Sequence, residues 1–461
     1  MIKKIKKIIL ILLATILTSY IALNYFVGRG GEEDKLKTLK DLFSERQKSL
    51  IIKYLLPYKL ISQQEDLITK IRGPRSPYLD LEINFLKSQK NIQVGKMKDI
   101  ELTNKTILKK YNLINGFYSG INNPYPGSGY IDFHLDNLII LSARGFLGYS
   151  KDINDELALK QIKNNIDEFF VLSDKKNWFS LKDLLIHNDK IYISYTEEIK
   201  KDCWNTSLIS GDVNYKNIQF KKIFSPESCI HSKKNPDGEF NAHQSGGRII
   251  NFDNNHLLLS IGDYRSRYLA QDKESLNGKI LKINTNDLSY EIISMGHRNP
   301  QGLYFDRENN FILEAEHGPS GGDEINMIEV DKINNDEILN YGWAIVSAGE
   351  HYGGKSVERN DKKYKKYPLY KSHSEYGFIE PLKSFVPSIG ISEIAKIAEN
   401  KYVVSSLNYR SLYFFQLNNE KKIINLEKVE VFERVRDLIF KDNKLYLFLE
   451  DTASLGIISF N

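Results

Sequence analysis

Six stretches of this chain repeat one arrangement: a short apolar strand, a turn built on Asn or Asp, and a second apolar strand. They are "GYIDFHLDNLIILSARG" (129–145), "LKDLLIHNDKIYISYTEE" (181–198), "GRIINFDNNHLLLSIGD" (247–263), "GLYFDRENNFILEAEHG" (302–318), "SEIAKIAENKYVVSSLN" (392–408) and "RDLIFKDNKLYLFLED" (436–451). At matching places the turns carry Asn137, Asp189, Asn255, Asn310, Asn400 and Asn443. Asn and Asp tolerate the positive φ that a tight hairpin requires. β-Branched and aromatic residues fill the flanking strands. The turns recur about every 40–90 residues, near the length of a four-stranded blade with its loops. The repeat predicts an all-β, six-bladed β-propeller over residues 111–461. A β-sandwich or a stack of hairpins has no reason to keep one register at six places.

In a propeller the first strand of each blade lines the central channel. Residues just before each first strand and just after each second strand therefore gather at one mouth. Before the third hairpin stand His243 and Gln244; before the fourth, His297, Arg298, Asn299 and Gln301; before the fifth, Ser388; before the sixth, Arg434 and Arg436. After the fourth come Gly318 and Pro319, then Asp323 and Glu324; after the fifth comes Asn408. One histidine and three arginines from separate blades are thus expected at one place. Guanidiniums offer forked donors to carboxylates. The backbone oxygens of a Gly-Pro turn suit a hard cation such as calcium, and a neutral histidine can act as a general base. The plainer readings are a turn histidine, arginines that tie blades together and an ordinary Gly-Pro turn. His297 reads as structural, and Asp323 and Glu324 as partners of the local arginines.

The N-terminus differs in kind. "MIKKIKK" precedes an uncharged apolar run from Ile8 to Val27. A run of roughly 20 such residues spans a bilayer as a helix. The lysines would stay cytoplasmic, leaving the rest of the chain outside. Segment 1–27 is read as a transmembrane anchor, with a signal segment as the competing reading. Residues 28–110, charged and helically spaced with a break at Pro57, read as a membrane-proximal helical stalk. The formal charge is +5, and Lys3, Lys4, Lys6 and Lys7 account for all but one unit of it. The folded part is near neutral, which gives no case for nucleic-acid binding. Cys203 and Cys229 can pair in an exported protein, and no spacing suggests zinc.

The stretches "AHQSGGRIINF", "LNGKILKIN", "GHRNPQGLYF", "EHGPSGGDEIN", "NYGWAIVS", "RVRDLIF" and "LFLEDTASLGIISF" give the chain a family resemblance over roughly residues 200–461. It resembles the soluble glucose dehydrogenase, aldose sugar dehydrogenase and glucose/sorbosone dehydrogenase family, which uses pyrroloquinoline quinone (PQQ). The resemblance implies a six-bladed propeller that oxidises an aldose at C1 to the lactone. His243 would be the general base, and Arg298 and Asn299 the pair beside the quinone oxygens. Arg434 and Arg436 would hold the cofactor's carboxylates, with Gln244, Ser388 and Asn408 also at the cofactor. The carbonyls of Gly318 and Pro319 would bind calcium. The substrate would be a sugar, and a respiratory quinone or cytochrome would take the electrons outside the cytoplasm. Two positions depart from the family pattern. Asn408 stands where some members have a lysine, and Ala242 where an acidic residue can precede the histidine. Those departures and the stalk motivate a second reading, a non-enzymatic propeller that binds a saccharide or a protein at the channel mouth.

Overall fold

The computed structural model describes residues 15, 17–20, 85–113, 128–143, 145–151, 153, 157–169, 178–333 and 337–460. The chain divides into two compact units, Met1–Glu82 and Ile83–Asn461. In the first, residues 15 and 17–20 are helical. The rest of the expected membrane span, and the expected stalk as far as residue 84, lie outside the described residues. No described helix is long and apolar enough to cross a membrane.

The second unit holds six sheets, and each starts with one of the repeated hairpins. The first two strands of the blades are Gly129–His134 with Asn137–Ser142, Leu181–His187 with Lys190–Lys200, and Gly246–Asn251 with His256–Ile261. They continue as Pro300–Asp306 with Phe311–Glu316, Ile391–Ala398 with Lys401–Ser406, and Val435–Lys441 with Lys444–Leu449. Every pair is antiparallel and extends outward into further strands. The six first strands pack side by side into a closed ring. This is the expected six-bladed propeller.

Each blade is sandwiched between two others, so its middle strands need apolar side chains on both faces. In blade 3, Leu257, Leu259 and Ile261 pack on Tyr192 and Leu208 of blade 2. The intervening Leu258 packs on Leu303 and Ile312 of blade 4. This alternation has the period of two that a strand imposes. Outer strands face solvent on one side, as in Ile423–Glu430, where most residues are exposed. Four of the six turn residues take the expected left-handed conformation: Asp189, Asn310, Asn400 and Asn443, with φ of 56°, 55°, 52° and 55°. Asn137 instead opens the second strand, and Leu135 takes the positive φ. Asn255 belongs to a longer turn over 252–255 and needs none.

The propeller begins earlier than residue 111. Ile107–Asn112 pairs with Ser454–Ser459, and Lys98–Glu101 pairs outside it, so strands from the N-terminal side complete the last blade. Asn91–Ile92 joins Leu159–Asn164 in the first blade. The stalk expected over 28–110 therefore overlaps the propeller from Asn91 onward. Lysines masked the strand: Lys110 is buried beside Tyr111, with its ammonium hydrogen-bonded to Glu433. Cys203 and Cys229 form a disulfide with a Cα–Cα distance of 5.3 Å, tying the third strand of blade 2 to the loop after it.

Candidate active site

The starts of the first strands and the ends of the second strands do converge. His243 lies just before blade 3, its backbone N–H donating to Asn241 Oδ1 at 2.8 Å and its ring 5.5 Å from that of Trp178. Burial, then the positive charges of Lys182, Arg436 and Arg265, push its pKa down to about 4. His317, at the end of the second strand of blade 4, is pushed to about 3 by burial and by Arg298, Arg436, Arg434 and Lys182. Both rings are neutral at pH 7. They share one space with cations from blades 2, 3, 4 and 6.

Arg298 is buried and clamped. Its Nη1 donates to the carbonyls of His317, at 2.8 Å, and Gly318, while Nη2 reaches the Tyr352 hydroxyl at 3.3 Å. Its guanidinium lies 5.5 Å from the Trp343 ring centre. Arg434 and Arg436 share one counter-ion, Glu450: Arg434 Nε donates to Oε2 at 2.9 Å and Arg436 Nη2 to Oε1 at 2.8 Å. Burial pushes the Glu450 carboxyl up, but the two arginines outweigh it and hold the group below its ordinary range. Among the described residues no carboxylate forms an ion pair with Lys182, Arg265 or Arg298. Arg265 Nε is buried without a hydrogen bond, and so is Gln244 Oε1. The mouth therefore carries excess positive charge and an unsatisfied guanidinium N–H on Arg265, donors that suit a planar polycarboxylate.

Several expected contacts are spent on structure. Asn299 Oδ1 accepts Gly246 N–H at 2.9 Å and Gln301 Nε2 at 3.0 Å, tying blade 4 to blade 3. Ser388 Oγ accepts the N–H groups of Gly321 and Gly322, both at 3.0 Å, and donates to Pro319 O at 3.2 Å. Gly318 and Pro319 are buried, not exposed, and both carbonyls accept hydrogen bonds. Asp323 does not pair with arginine; it caps the backbone of Gly390 at 2.6 Å and Ile391 at 3.0 Å. Glu324 likewise has no arginine partner and lies 3.7 Å from His373. Asn408 is exposed, 3.4 Å from Ser388 O. Ala242 is fully buried in a cluster with apolar side chains of blades 1 and 2.

Lys182, on the first strand of blade 2, was not singled out by motif. Its stem crosses Gly247, where an added Cβ would lie 2.4 Å from Lys182 Cβ and φ is +110°. Glycine is needed there for both reasons. Burial, then Arg436, lowers the Lys182 amine to about 7. Arg410, two residues after Asn408, pairs with Asp451 at 2.8 Å and is half exposed, so it does not replace the cation that some family members carry at 408. Tyr352 was also missed; the guanidinium of Arg298 lowers its hydroxyl pKa.

Below the mouth, Arg248 closes the channel. It binds Asp183 of blade 2 at 2.6 Å, Asp437 of blade 6 at 2.9 Å and Glu393 of blade 5. It also donates to Gln301 O of blade 4 at 2.9 Å and lies 6.0 Å from the Tyr130 ring of blade 1. One side chain thus joins all six blades. Beyond it a cavity of about 1160 Å³ opens toward the hairpin turns.

The glucose/sorbosone dehydrogenase family matches residues 180–458, which is blades 2 to 6. Among curated proteins, the chain is 28% identical over 223 residues to the uncharacterized protein slr1608 of Synechocystis sp., covering 42% of this chain and 50% of that one. It is 34% identical over 122 residues to aldose sugar dehydrogenase YliI of Escherichia coli, covering 24% of this chain and 31% of that one. The chain spans half or less of the length of these relatives. The fold is shared with the PQQ-bound form of aldose sugar dehydrogenase from Streptomyces coelicolor, with a TM-score of 0.52, 18% identity, and coverage of 70% of this chain and 90% of that one.

Proposed function

Because the chain belongs to the glucose/sorbosone dehydrogenase family, we propose that it oxidises an aldose at C1 to the lactone with PQQ as its cofactor. The observation that carries this reading is that His243 shares one mouth with Lys182, Arg265 and Arg298, none of which pairs with a carboxylate among the described residues, and with Arg434 and Arg436, which share the single carboxylate of Glu450. Arg298, Arg434, Arg436 and Lys182 would hold the carboxylates and quinone oxygens of PQQ. Lys182 takes over from blade 2 the charge that Asn408 no longer supplies from blade 5. When bound, PQQ supplies a quinone that accepts two electrons. His243 would accept the C1 hydroxyl proton as the C1 hydrogen leaves with the electron pair of its bond, the two electrons that the quinone takes up, so that C1 becomes the carbonyl of the lactone. Arg298, already clamped, stabilises negative charge beside it without reorganising.

Calcium belongs to the same proposal with a condition. The protein offers two neutral carbonyls, Gly318 and Pro319, already hydrogen-bonded to Arg298 and Ser388. A calcium ion takes 6–8 oxygens, roughly, so an anionic ligand must complete the shell. Calcium then binds only together with PQQ. An anchor over residues 8–27 would hold the propeller outside the cytoplasm beside a respiratory electron acceptor. The Cys203–Cys229 disulfide fits an oxidising compartment.

A second reading, a saccharide-binding propeller without cofactor, is favoured by one observation: Arg434 and Arg436 are already paired with Glu450. Incubation with PQQ and calcium, followed by dye-linked oxidation across a panel of aldoses, separates the two. The dehydrogenase reading expects lactone formation with at least one sugar. Binding of sugars with no oxidation by PQQ-loaded protein would favour the second.

A further inference from the structure

The interface between blades 3 and 4 is apolar near the hairpin turns, where Leu258, Ile280, Leu303, Ile312 and Ile328 meet. Toward the strand starts it changes character. On the second strand of blade 4, Ile312 is followed on the same face by Glu314 and Glu316. Across the ladder, Ile328 is followed by Asn326 and Glu324, with Glu314 opposite Asn326 and Glu316 opposite Glu324. His297 enters from the segment that leads into blade 4. His297, Glu314 and Asn326 are fully buried, and Glu316 and Glu324 are 3% and 5% exposed. The corresponding positions elsewhere are small or apolar, as in Leu259 and Ile261 of blade 3 or Val404 and Ser406 of blade 5. Three carboxylates in one dry interface are costly unless something neutralises them.

Their hydrogen bonding is incomplete in a specific way. His297 Nε2 lies 2.9 Å from Ser294 Oγ, which leaves Nδ1 facing the carboxylates. Nδ1 is 3.9 Å from a Glu314 oxygen and 3.8 Å from a Glu316 oxygen, too far for a hydrogen bond. Nδ1, Glu314 Oε1 and Asn326 Oδ1 are all buried without a partner, while Asn326 Nδ2 donates to Glu314 Oε2 at 2.9 Å and to Glu316 Oε1 at 3.3 Å. One ligand atom from each of His297, Glu314 and Glu316 lies within 4.8 Å of the other two. An imidazole whose far nitrogen is fixed by a neighbour and whose near nitrogen is bare is the usual arrangement of a metal-bound histidine. Bond lengths of about 2.0–2.2 Å to nitrogen and oxygen require the cluster to contract only slightly.

We infer that His297, Glu314 and Glu316 form an internal site for a divalent first-row transition-metal ion, with the Asn326 amide turned over to present Oδ1 as a further ligand. The mixed set of one nitrogen and carboxylate or amide oxygens selects against calcium, which takes oxygen alone. Two carboxylates balance the ion's charge. The site is separate from the Gly318–Pro319 turn and stands whether or not the chain binds PQQ. It would also fix the neighbouring active-site residue: the backbone N–H of Arg298 donates to Glu316 Oε2 at 2.6 Å.

The test uses Co²⁺, whose visible absorption reports its ligands. Full chain is produced with and without Co²⁺ in the medium, dialysed against a chelator, and measured for metal content, visible spectrum and thermal unfolding. The expected result is about one cobalt per chain, a visible d–d band and a higher Tm for the cobalt form. Glu314→Gln with Glu316→Gln should lower retained cobalt about ten-fold or more, while Glu450→Gln at the channel mouth leaves it unchanged. Wild-type protein with no retained cobalt, no band and an equal Tm would overturn the inference. So would retention undiminished in the double variant. The wild-type measurement decides even if the double variant does not fold.

Discussion

His243 is held neutral by its surroundings, and that has a pH signature. Its pKa is lowered to about 4 by burial and by nearby cations. As the proposed base, His243 would be in its active form far below the pH at which a free histidine protonates. The acid limb of kcat/KM should lie well under pH 6, and His243→Gln should reduce kcat by about 10²–10⁴. The folded form binds fewer protons than the unfolded chain between about pH 4 and 6.5, so this residue's contribution to stability is lost as pH falls through that window. Urea titrations of wild type and His243→Gln at several pH values would show the difference. Lys182 gives a second signature. Its amine is lowered to about 7 in the free protein, and an anionic ligand must raise it again. PQQ affinity should then weaken as pH rises above 7, and Lys182→Leu should weaken it about ten-fold at pH 7 and flatten the pH dependence. Asn408→Lys should tighten it. Lys182 lies outside the quoted family stretches, and Arg248 stands in "AHQSGGRIINF" without a role read from it. Their roles come from which blades meet, and a linear sequence does not state that.

At the scale of elements, the blades were readable because their demands are local. A middle strand buried on both faces must be a run such as "HLLLSI", and a tight turn needs Asn or Asp where φ is positive. The turn argument failed where loop length changed, at Asn137 and Asn255. The boundary at residue 110 failed for another reason. The strand Ile107–Asn112 finds its partner some 340 residues later, and Lys110 meets its counter-ion Glu433 only in the fold. At the mouth, the convergence of His243, Arg298, Arg434 and Arg436 was legible from the repeat. The use of Asn299, Ser388 and Asp323 as ties between blades and turns was not, because it depends on three-dimensional distances. Arg248 supplies the prediction at this scale. It is the one cation bonded to Asp183, Glu393 and Asp437, and burial already raises all three carboxyls. Arg248→Met leaves them without it and should destabilise the propeller by about 3–5 kcal/mol, read from denaturant unfolding.

For the whole molecule, closure of the ring depends on strands from both ends of the propeller. Removing residues 83–112 deletes Lys98–Glu101 and Ile107–Asn112 from the last blade and bares the edge of Ser454–Ser459. That truncation should lose cooperative unfolding or aggregate, whereas removal of residues 1–82, the other compact unit, should leave a cooperative transition; calorimetry of the two truncations distinguishes them. A closed ring brings charges from four blades to one mouth, and the account rests on what that mouth is for. The most direct measurement is a calorimetric titration of the full chain with PQQ, with and without calcium, alongside Arg436→Gln. The account predicts stoichiometric PQQ binding that calcium strengthens, no calcium binding to these carbonyls without PQQ, and a loss of affinity in Arg436→Gln. Absence of PQQ binding under both conditions, or equal affinity in wild type and Arg436→Gln, would contradict it.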